Sequence, residues 1–388
     1  MKKFIIFYII LTFFMMIGVT FAGEKYCFDC MHKYRIGDKK NETYEFNSDL
    51  ESTVYVSFRN SIGRKQDIDL TNLVKEQISD RKTGLVSYIL LENNKILIDE
   101  KRKSKYTGPY PSHSIGKSLV SLVTGYAQCG GYLNHTVFDS IDYPTVAGTL
   151  YENQKLINLL NMSAGDDEII GERIHGKDNR IKGKGKNINK IPIKSAMKWY
   201  FKDKEGLEPG VYFNYSAMTT NVIINYIIYK TGNDWKKLLE KVFTKDAKVK
   251  NRVYFHKTLN VKESNRKGEY GRYSFYAQRD DYLRIGIMVM NHWNNDTCVG
   301  EYLKTIYENR VKKNRNHYSL ESASQYSESY GGQFHFDILR LQDKKILAMD
   351  GFGGQQLIID FDKKRVIAIT SDDRHYDWKN IVHEVLKK

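Results

Sequence analysis

The C-terminal third of the chain constrains the fold most, because it predicts consecutive β-strands joined by short turns. Three segments there are rich in β-branched, aromatic and other apolar residues, which is typical of strands. They are "YGGQFHFDILRL" (330–341), "KKILAMDGFGGQQLIIDFD" (344–362) and "KRVIAITS" (364–371). The turns between them fall at Asp343-Lys344 and Asp362-Lys363. Strands with such short connections must pair antiparallel, so the sequence predicts an antiparallel meander.

A second strand pair lies far from this meander. The segment "GLVSYILLENNKILIDE" (84–100) predicts a hairpin with its turn at Asn93-Asn94. The long stretch between the hairpin and the meander has helical spacing, so the hairpin can join the same sheet only if that stretch is an insertion. A closing helix, "DWKNIVHEVLKK" (377–388), follows the meander and has Asp377 as its N-cap.

Five segments of the middle have apolar residues at helical spacing. They are residues 114–127, ended by Gly130-Gly131, 149–165, ended by Gly165, 191–203, 219–243, broken at Gly232, and 279–293. The predicted fold class is therefore α+β, an antiparallel sheet flanked by helices with an inserted, mostly helical domain. The sheet part comprises residues 81–113 and 270–388, and the helical part comprises residues 114–269.

The first 22 residues have the pattern of an export signal. Lys2 and Lys3 precede an almost wholly apolar run, and Ala22 supplies a small residue at the cleavage position. The alternative is an uncleaved membrane anchor, because the run could nearly span a bilayer. We therefore expect a periplasmic or secreted protein, membrane-anchored if the signal is uncleaved. Residues 23–80 predict an N-terminal extension of uncertain structure.

The chain contains four cysteines, Cys27, Cys30, Cys129 and Cys298, which allow three pairings. An oxidising compartment would permit any of them. The C-x-x-C pair just after the signal favours a local disulfide or two free thiols over a redox motif, which would open a helix after a strand. A zinc site would need two further clustered ligands.

The formal net charge is +15, and its densest cluster lies at residues 173–190. Its glycines and seven basic residues predict a mobile surface loop. This loop is either a solvated face or a contact for anionic polymers of the cell envelope. The sequence has no base-stacking or groove-reading motif, which argues against nucleic acid as a partner.

Four Ser-x-x-Lys pairs occur in the chain, and their surroundings distinguish them. They are Ser79–Lys82, Ser114–Lys117, Ser195–Lys198 and Ser264–Lys267. Only Ser114–Lys117 opens a strongly apolar helix, on which positions i and i+3 share a face. Burial lowers the pKa of a lysine from its usual value of about 10.4 and can make its amine a base. The alternative for Ser114 is a simple helix N-cap.

Two later segments carry further candidate residues. Tyr215 lies after a Pro-Gly turn and directly before a helix, where its phenol could transfer a proton in a cleft. Gly351, Gly353 and Gly354 lie in a strand, and such glycines suggest close approach of a ligand or another backbone. The alternatives are a half-buried core tyrosine and a glycine-rich β-bulge.

At this point the sequence resembles the serine beta-lactamase and penicillin-binding-protein superfamily, in which Ser-x-x-Lys is followed by tyrosine and strand motifs. It is most similar to the class C-like branch, with its family VIII carboxylesterases and 6-aminohexanoate-dimer hydrolases. The resemblance spans residues 84–388 and leaves residues 23–80 outside. The matching pieces, in the family's order, are "SYILLENNKILIDE", "HSIGKSLVSLVTGY", "LINLLNMSAGDD", "PGVYFNYSAMTTNVIINYIIYKTG", "QRDDYLRIG" and "DGFGGQQLIIDF".

The resemblance implies a beta-lactamase-like fold and assigns roles to particular residues. Ser114 becomes the nucleophile, Lys117 its activating partner and Tyr215 the proton-transferring tyrosine. The amide of Gln355, or of Gly354 if the register differs by one, would complete an oxyanion hole with the amide of Ser114. Ala217 replaces the asparagine of the family's Tyr-x-Asn motif.

The third family motif is also altered, since Gly351 to Gln355 contain no lysine or histidine. Both departures argue against efficient lactam hydrolysis. We therefore expect an exported serine hydrolase that cleaves a small ester or amide without a metal or organic cofactor. The alternatives are a catalytically weak envelope- or peptidoglycan-binding protein and a true beta-lactamase or D-Ala-D-Ala carboxypeptidase. The substrate and the oligomeric state stay open, and Asp166 and Asp167 either line the cleft or cap a helix.

Overall fold

The computed structural model describes residues 43–46, 65–103, 108–133, 136–171, 180–184, 191–251, 253–256, 274–313 and 322–388. The predicted signal at residues 1–22, the Cys27–Cys30 pair and most of the basic segment 173–190 lie outside these residues. No helix among the described residues has the length and apolar character that a bilayer crossing requires.

The described part of the chain forms strands and helices whose bounds are as follows. The strands are β1 (Thr43–Phe46), β2 (Leu85–Glu92), β3 (Lys95–Lys101), β4 (Tyr110–Pro111), β5 (Ile170–Gly171), β6 (Arg180–Ile181), β7 (Val253–His256), β8 (Ser274–Ala277), β9 (Val311–Lys312), β10 (Ser327–Gly331), β11 (Phe334–Ile338), β12 (Ile346–Gly351), β13 (Gln355–Asp360) and β14 (Arg365–Ser371). The α-helices are α1 (Lys65–Ser79), α2 (Ile115–Cys129), α3 (Leu156–Leu160), α4 (Ile193–Ala196), α5 (Ala217–Thr231), α6 (Trp235–Glu240), α7 (Arg279–Asn294), α8 (Cys298–Glu308), α9 (Ala323–Tyr326) and α10 (Glu384–Lys387). Wider π-helical turns are Met197–Phe201, Lys241–Asp246 and Lys379–His383, and 3₁₀ turns are Pro144–Val146, Asp166–Glu168, Gly232–Asp234 and Phe352–Gly354.

Eight antiparallel strands form the large sheet, in the order β3-β2-β14-β13-β12-β11-β10-β9. The early hairpin β2–β3 pairs with the last strand β14, and Arg365 lies opposite Glu92 in the register. Both Asn93 and Asn94 have positive φ, which a two-residue turn between strands requires. The prediction that both ends of the chain build one sheet is therefore confirmed.

Apolar side chains pack on both faces of the large sheet. One face contacts α2 and α7, α5 packs on α2, and this core includes Leu119, Val222 and Ile285. The opposite face contacts α1 and the C-terminal helical turns, with Val74 and Trp378 among its buried residues. Because α1 contributes to this second core, part of the predicted N-terminal extension belongs to the folded unit.

A four-stranded sheet, in the order β1-β7-β8-β4, lies outside the large one. Its pairing continues past β4, because the Ser112 amide donates to the Phe275 carbonyl at 2.8 Å. The Phe275 amide in turn donates to Ser112 Oγ at 3.3 Å. The small sheet therefore fixes the backbone two residues before Ser114.

Several predicted elements differ from the observed ones. Residues 330–341 contain two strands, since β10 and β11 turn at Gly332-Gln333, and residues 344–362 contain β12 and β13. The glycine and polar residues inside each apolar run form these turns. The content of strand-forming residues in a segment does not show that the segment contains two strands. The helix predicted over residues 149–165 is reduced to α3, and α8 was not predicted.

A disulfide joins two helices of the layer that covers the large sheet. Cys129 at the end of α2 is bonded to Cys298 at the start of α8, with 169 residues between them in sequence. This bond belongs to one of the three pairings that the sequence allowed, and Cys27 and Cys30 lie outside the described residues.

Candidate active site

Ser114 lies at the first turn of α2, on the loop that leads out of β4. His113 directly before it has a φ of +48°, a left-handed conformation that turns the chain sharply into the helix. The Ser114 side chain makes no capping hydrogen bond to the helix. Instead, the Lys117 Nζ donates to Ser114 Oγ at 3.1 Å. The alternative of a simple N-cap is therefore not what the structure has.

Lys117 is only 4 % exposed, because α2 is buried on nearly all sides. Its Nζ lies 4.9 Å from the centroid of the Tyr215 ring. By contrast, Lys82 and Lys198 of two other Ser-x-x-Lys pairs are exposed, and Ser264–Lys267 lies outside the described residues. The structure thus brings together Ser114, Lys117 and Tyr215, as the sequence predicted.

Tyr215 is held by two other aromatic rings. Its ring centroid lies 5.9 Å from that of Tyr330 and 6.4 Å from that of Phe213. Ser216 follows directly and is the N-cap of α5, where its hydroxyl accepts from the Met218 amide at 3.1 Å. The half-buried tyrosine is therefore fixed at a helix start, with its ring close to Tyr330 of β10.

Asp166 supports the two residues on either side of Tyr215. Its carboxylate accepts from Asn214 Nδ2 at 3.1 Å and from the Tyr151 hydroxyl at 2.7 Å, and Ser216 also hydrogen-bonds it. Asp166 is fully buried, and burial raises its pKa to about 6 in spite of these donors. Sequence analysis left its role open, since Asp-Asp after glycine is equally typical of a helix start.

Gln333 ties together the elements that carry the lysine and the tyrosine. Its carbonyl accepts from the Ser118 hydroxyl on α2, and its side-chain Oε1 accepts from the Thr220 hydroxyl on α5, both at 2.6 Å. Its Nε2 donates to the carbonyls of Leu159 and Leu160 at 3.2 Å. Sequence analysis missed this residue, whose only signal is its place after two glycines.

The glycine-rich turn between β12 and β13 approaches the loop that carries Ser114. A Cβ atom on Gly351 would lie 2.6 Å from the Ser112 carbonyl oxygen and 3.3 Å from the His113 Cβ. The Phe352 ring then stands edge-on to the His113 ring at 5.9 Å. The glycines therefore permit the close backbone approach that the sequence suggested.

The Gly354 carbonyl and the Gln355 side chain bind residues at and after the end of β14. The Gly354 carbonyl accepts from the Tyr376 hydroxyl at 2.8 Å, and Gln355 Nε2 donates to the Ser371 carbonyl. These partners belong to the end of β14 and the loop after it. Gly351 and Phe352 approach the Ser112–His113 segment, and Gln355 lies directly opposite Gly351 in the register of β12 and β13.

One arginine that the sequence analysis did not single out lies beside this turn. Arg374 donates to the Gly351 carbonyl at 2.9 Å and lies 3.2 Å from Asp350 Oδ1. The guanidinium is thus occupied by the backbone and by a carboxylate. No group of three or more potential metal ligands occurs among the described residues.

The chain matches no protein-family model and no curated protein, whereas many solved structures share its fold. A protein described as a 6-aminohexanoate-dimer hydrolase from Bacillus anthracis is 13 % identical, with a TM-score of 0.59 over 93 % of each chain. A class C beta-lactamase in complex with cefoxitin is 12 % identical, with a TM-score of 0.55 over 83 % of this chain and 99 % of that one. EstCE1, a hydrolase with promiscuous acyltransferase activity, is 10 % identical, with a TM-score of 0.56 over 81 % of this chain and 97 % of that one. At such identities the likeness shows the fold, and it confirms the predicted α+β, beta-lactamase-like architecture.

Proposed function

Because this chain has the fold of serine beta-lactamases and penicillin-binding proteins, we propose that it is a serine hydrolase that acts by acyl transfer. The observation that carries the proposal is the contact between a buried amine and a serine hydroxyl, Lys117 Nζ to Ser114 Oγ at 3.1 Å. A nucleophilic hydroxyl needs an adjacent base, and an amine screened from water is suited to accept its proton. The fold alone would also suit a binding protein, whereas this contact favours catalysis.

The reaction would proceed in two steps. Ser114 Oγ attacks the carbonyl carbon of an ester or amide while its proton passes to Lys117 Nζ. The proton is then delivered to the leaving oxygen or nitrogen as the old bond breaks, and the Tyr215 phenol is placed beside Lys117 to transfer it. Water attacks the resulting acyl-serine, gives a proton back to Ser114 Oγ and releases a carboxylic acid.

Two backbone amides would stabilise the negative charge on the carbonyl oxygen. One is the amide of Ser114, which as a helix N-terminal group has no partner within the helix. For the second, we keep the amide of Gln355, or of Gly354, because Gln355 lies opposite Gly351 in the register of β12 and β13, where Gly351 approaches the serine loop. Each such donor contributes about 3 kcal/mol to transition-state stabilisation.

The substrate we propose is a simple ester or amide in preference to a beta-lactam. Ala217 is buried at the first position of α5 and offers no amide group to hold a lactam side chain. Arg374, a cation beside the third motif, is already bound to Asp350 and to the Gly351 carbonyl. A substrate carboxylate would have to displace these bonds.

Export to the periplasm or the exterior is part of the proposal. The apolar run at residues 1–22 motivates it, and the Cys129–Cys298 disulfide supports it, because disulfides persist in oxidising compartments. Cell fractionation with thiol alkylation tests this. Recovery of the protein in the cytoplasm with reduced Cys129 and Cys298 would contradict it.

The catalytic assignment is tested by labelling with a fluorophosphonate and by turnover of p-nitrophenyl acetate. We expect Ser114→Ala to abolish labelling and Lys117→Met to reduce turnover by about 10²- to 10⁴-fold, the contribution typical of a positioned base. Lys198→Met, from an exposed Ser-x-x-Lys pair, is the matched control and should leave both unchanged. Equal labelling of wild type and Ser114→Ala would refute the assignment.

Two further measurements separate the rival functions. Rapid nitrocefin hydrolysis or covalent capture of labelled penicillin would favour a beta-lactamase or carboxypeptidase. Retention on purified cell-wall polymer, with no turnover of any ester or amide, would favour a binding protein.

A further inference from the structure

A cavity of about 540 Å³ lies at the opposite end of α2 from Ser114. Tyr126 on its floor is twelve residues along the helix from Ser114, or about 18 Å. The remaining walls come from α6, the π-helical turn after it, the end of α7 and the start of α8. Its size is that of a site for a small organic molecule. The cavity is thus separate from the proposed catalytic centre.

A continuous series of hydrogen bonds runs along the floor of the cavity. Tyr126 donates to Asp246 Oδ2 at 2.8 Å, and His292 Nε2 lies 2.7 Å from the same hydroxyl. A phenol has one proton, so His292 must carry its proton on Nε2 and donate. His292 Nδ1 then accepts from the Thr297 hydroxyl at 2.7 Å, while Thr297 caps α8 by accepting from the Gly300 amide. Burial lowers the pKa of His292, which agrees with this neutral form.

Among the described residues, more basic than acidic side chains line the cavity. Lys237, Lys241 and Lys245 follow one another at intervals of four along one wall. Lys241 is paired with Asp246 at 2.7 Å, which neutralises the carboxylate at the floor. Glu240 is paired with Lys236 at 3.7 Å. Like charges at this spacing repel one another, and Lys237 and Lys245 have no ion-pair partner among the described residues.

The opposite wall adds further positive potential and apolar surface. The helix α8 begins there with Cys298 and Val299, so the positive end of its dipole faces the cavity. Val299 and the Cys129–Cys298 disulfide present apolar atoms there, and Leu238 adds apolar surface beside Lys237 on α6. A ligand that contacts the apolar atoms and also pairs with the positive charges must combine an apolar body with a negative group.

We propose that this cavity binds a small amphiphilic anion, an aryl or acyl carboxylate or sulfonate, with its negative group between Lys237 and Lys245. The apolar body lies against Val299 and the disulfide. Because the hydrogen bonds of the floor are already made, the lysines and the apolar contacts supply the recognition. The site is independent of the catalytic serine, so Ser114→Ala retains it.

Two dyes of the same ring system test the proposal on the full chain. 8-Anilinonaphthalene-1-sulfonate carries a negative group, and N-phenyl-1-naphthylamine lacks it. In Ser114→Ala protein we expect saturable one-to-one binding of the sulfonate, weakened by salt. Lys237→Gln with Lys245→Gln should weaken sulfonate binding by about five- to tenfold, as expected for two exposed ion pairs, and change binding of the neutral dye by less than about twofold.

Removal of two lysines elsewhere, by Lys363→Gln with Lys379→Gln, is the matched control and should leave sulfonate binding unchanged. Val299→Trp fills the cavity and should abolish binding of both dyes. Should that variant fail to fold, the lysine pair alone decides. Equal sulfonate affinity in wild type and the Lys237/Lys245 variant, or equal losses in the two lysine pairs, would overturn the proposal.

Discussion

Replacing Asp166 by asparagine measures the free energy that burial of its carboxylate costs the folded protein. The side chain is fully buried, and its pKa is raised from 3.8 to about 6. Burial is the largest cause, and the donors Tyr151, Ser216 and Asn214 offset it only in part. A shift from 3.8 to about 6 corresponds to about 3 kcal/mol between the two protonation states.

The sign of the effect follows from which state binds the proton more tightly. The folded state does, so the group favours folding most below about pH 3, where both states are protonated. As the pH rises, the unfolded chain ionises first, and this contribution is lost as the pH passes through about 6. Asparagine does not titrate. The stability of wild type minus that of Asp166→Asn should therefore fall by about 2 kcal/mol between pH 4 and pH 7.5.

Urea unfolding followed by circular dichroism, at half-unit steps of pH, provides the two stabilities. Other buried acids with raised pKa, such as Asp281 and Asp360, are present in both proteins and cancel in the difference. Glu168→Gln, an exposed neighbour in the same turn, serves as the control and should track wild type. Parallel curves for wild type and Asp166→Asn would show that the carboxylate is not held as the structure has it.

Two further substitutions probe the approach of β12 to the serine loop and the link between α2 and α8. Gly351→Ala places a Cβ 2.6 Å from the Ser112 carbonyl, so we expect a loss of about 1–3 kcal/mol in urea unfolding. Turnover of the folded protein should also fall, because the oxyanion donors shift. As the control, Gly148→Ala, whose Cβ meets no atom within 4 Å, should change stability alone. Cys129→Ser with Cys298→Ser opens a loop of 169 residues and should lower stability by up to about 5 kcal/mol. Dithiothreitol should lower the stability of wild type similarly and leave the double variant unchanged; an equal effect on both would contradict this.

Local patterns were sufficient to predict the elements that build the large sheet and the serine helix. The positive φ of Asn93 and Asn94 follows from their chemistry, and the helix α2 follows from its apolar spacing and closing Gly130-Gly131. The order of strands, helices and strands then forces the hairpin to join the C-terminal meander. The grouping of Ser114, Lys117 and Tyr215 was predicted from the order of family-like motifs. Lys117 and Tyr215 are 98 positions apart, and no local pattern predicts a contact over that separation.

Contacts between distant polar residues could not be predicted in the same way. Gln333 bridges α2, α5 and the end of α3, but in the sequence it is one amide after two glycines. Asp166 resembles a solvated turn residue until Asn214 and Tyr151 are seen to donate to it. The glycines of residues 351–354 suggested close backbone approach, while which amide faces the serine depended on how the turn at Phe352–Gly354 folds.

The position of Lys117 illustrates how this fold sets stability against activity. The helix α2 is buried almost all round, so a lysine at its third residue must lose most of its hydration wherever its amine points. The other polar residues of this buried surface are matched by neutral partners: Ser118 by the Gln333 carbonyl, Ser121 by the Tyr302 hydroxyl. An unbranched apolar residue would fill the same space without that desolvation. Lys117→Met should therefore unfold at the same or a higher urea concentration than wild type while losing turnover, and a marked loss of stability would instead make the lysine a structural residue.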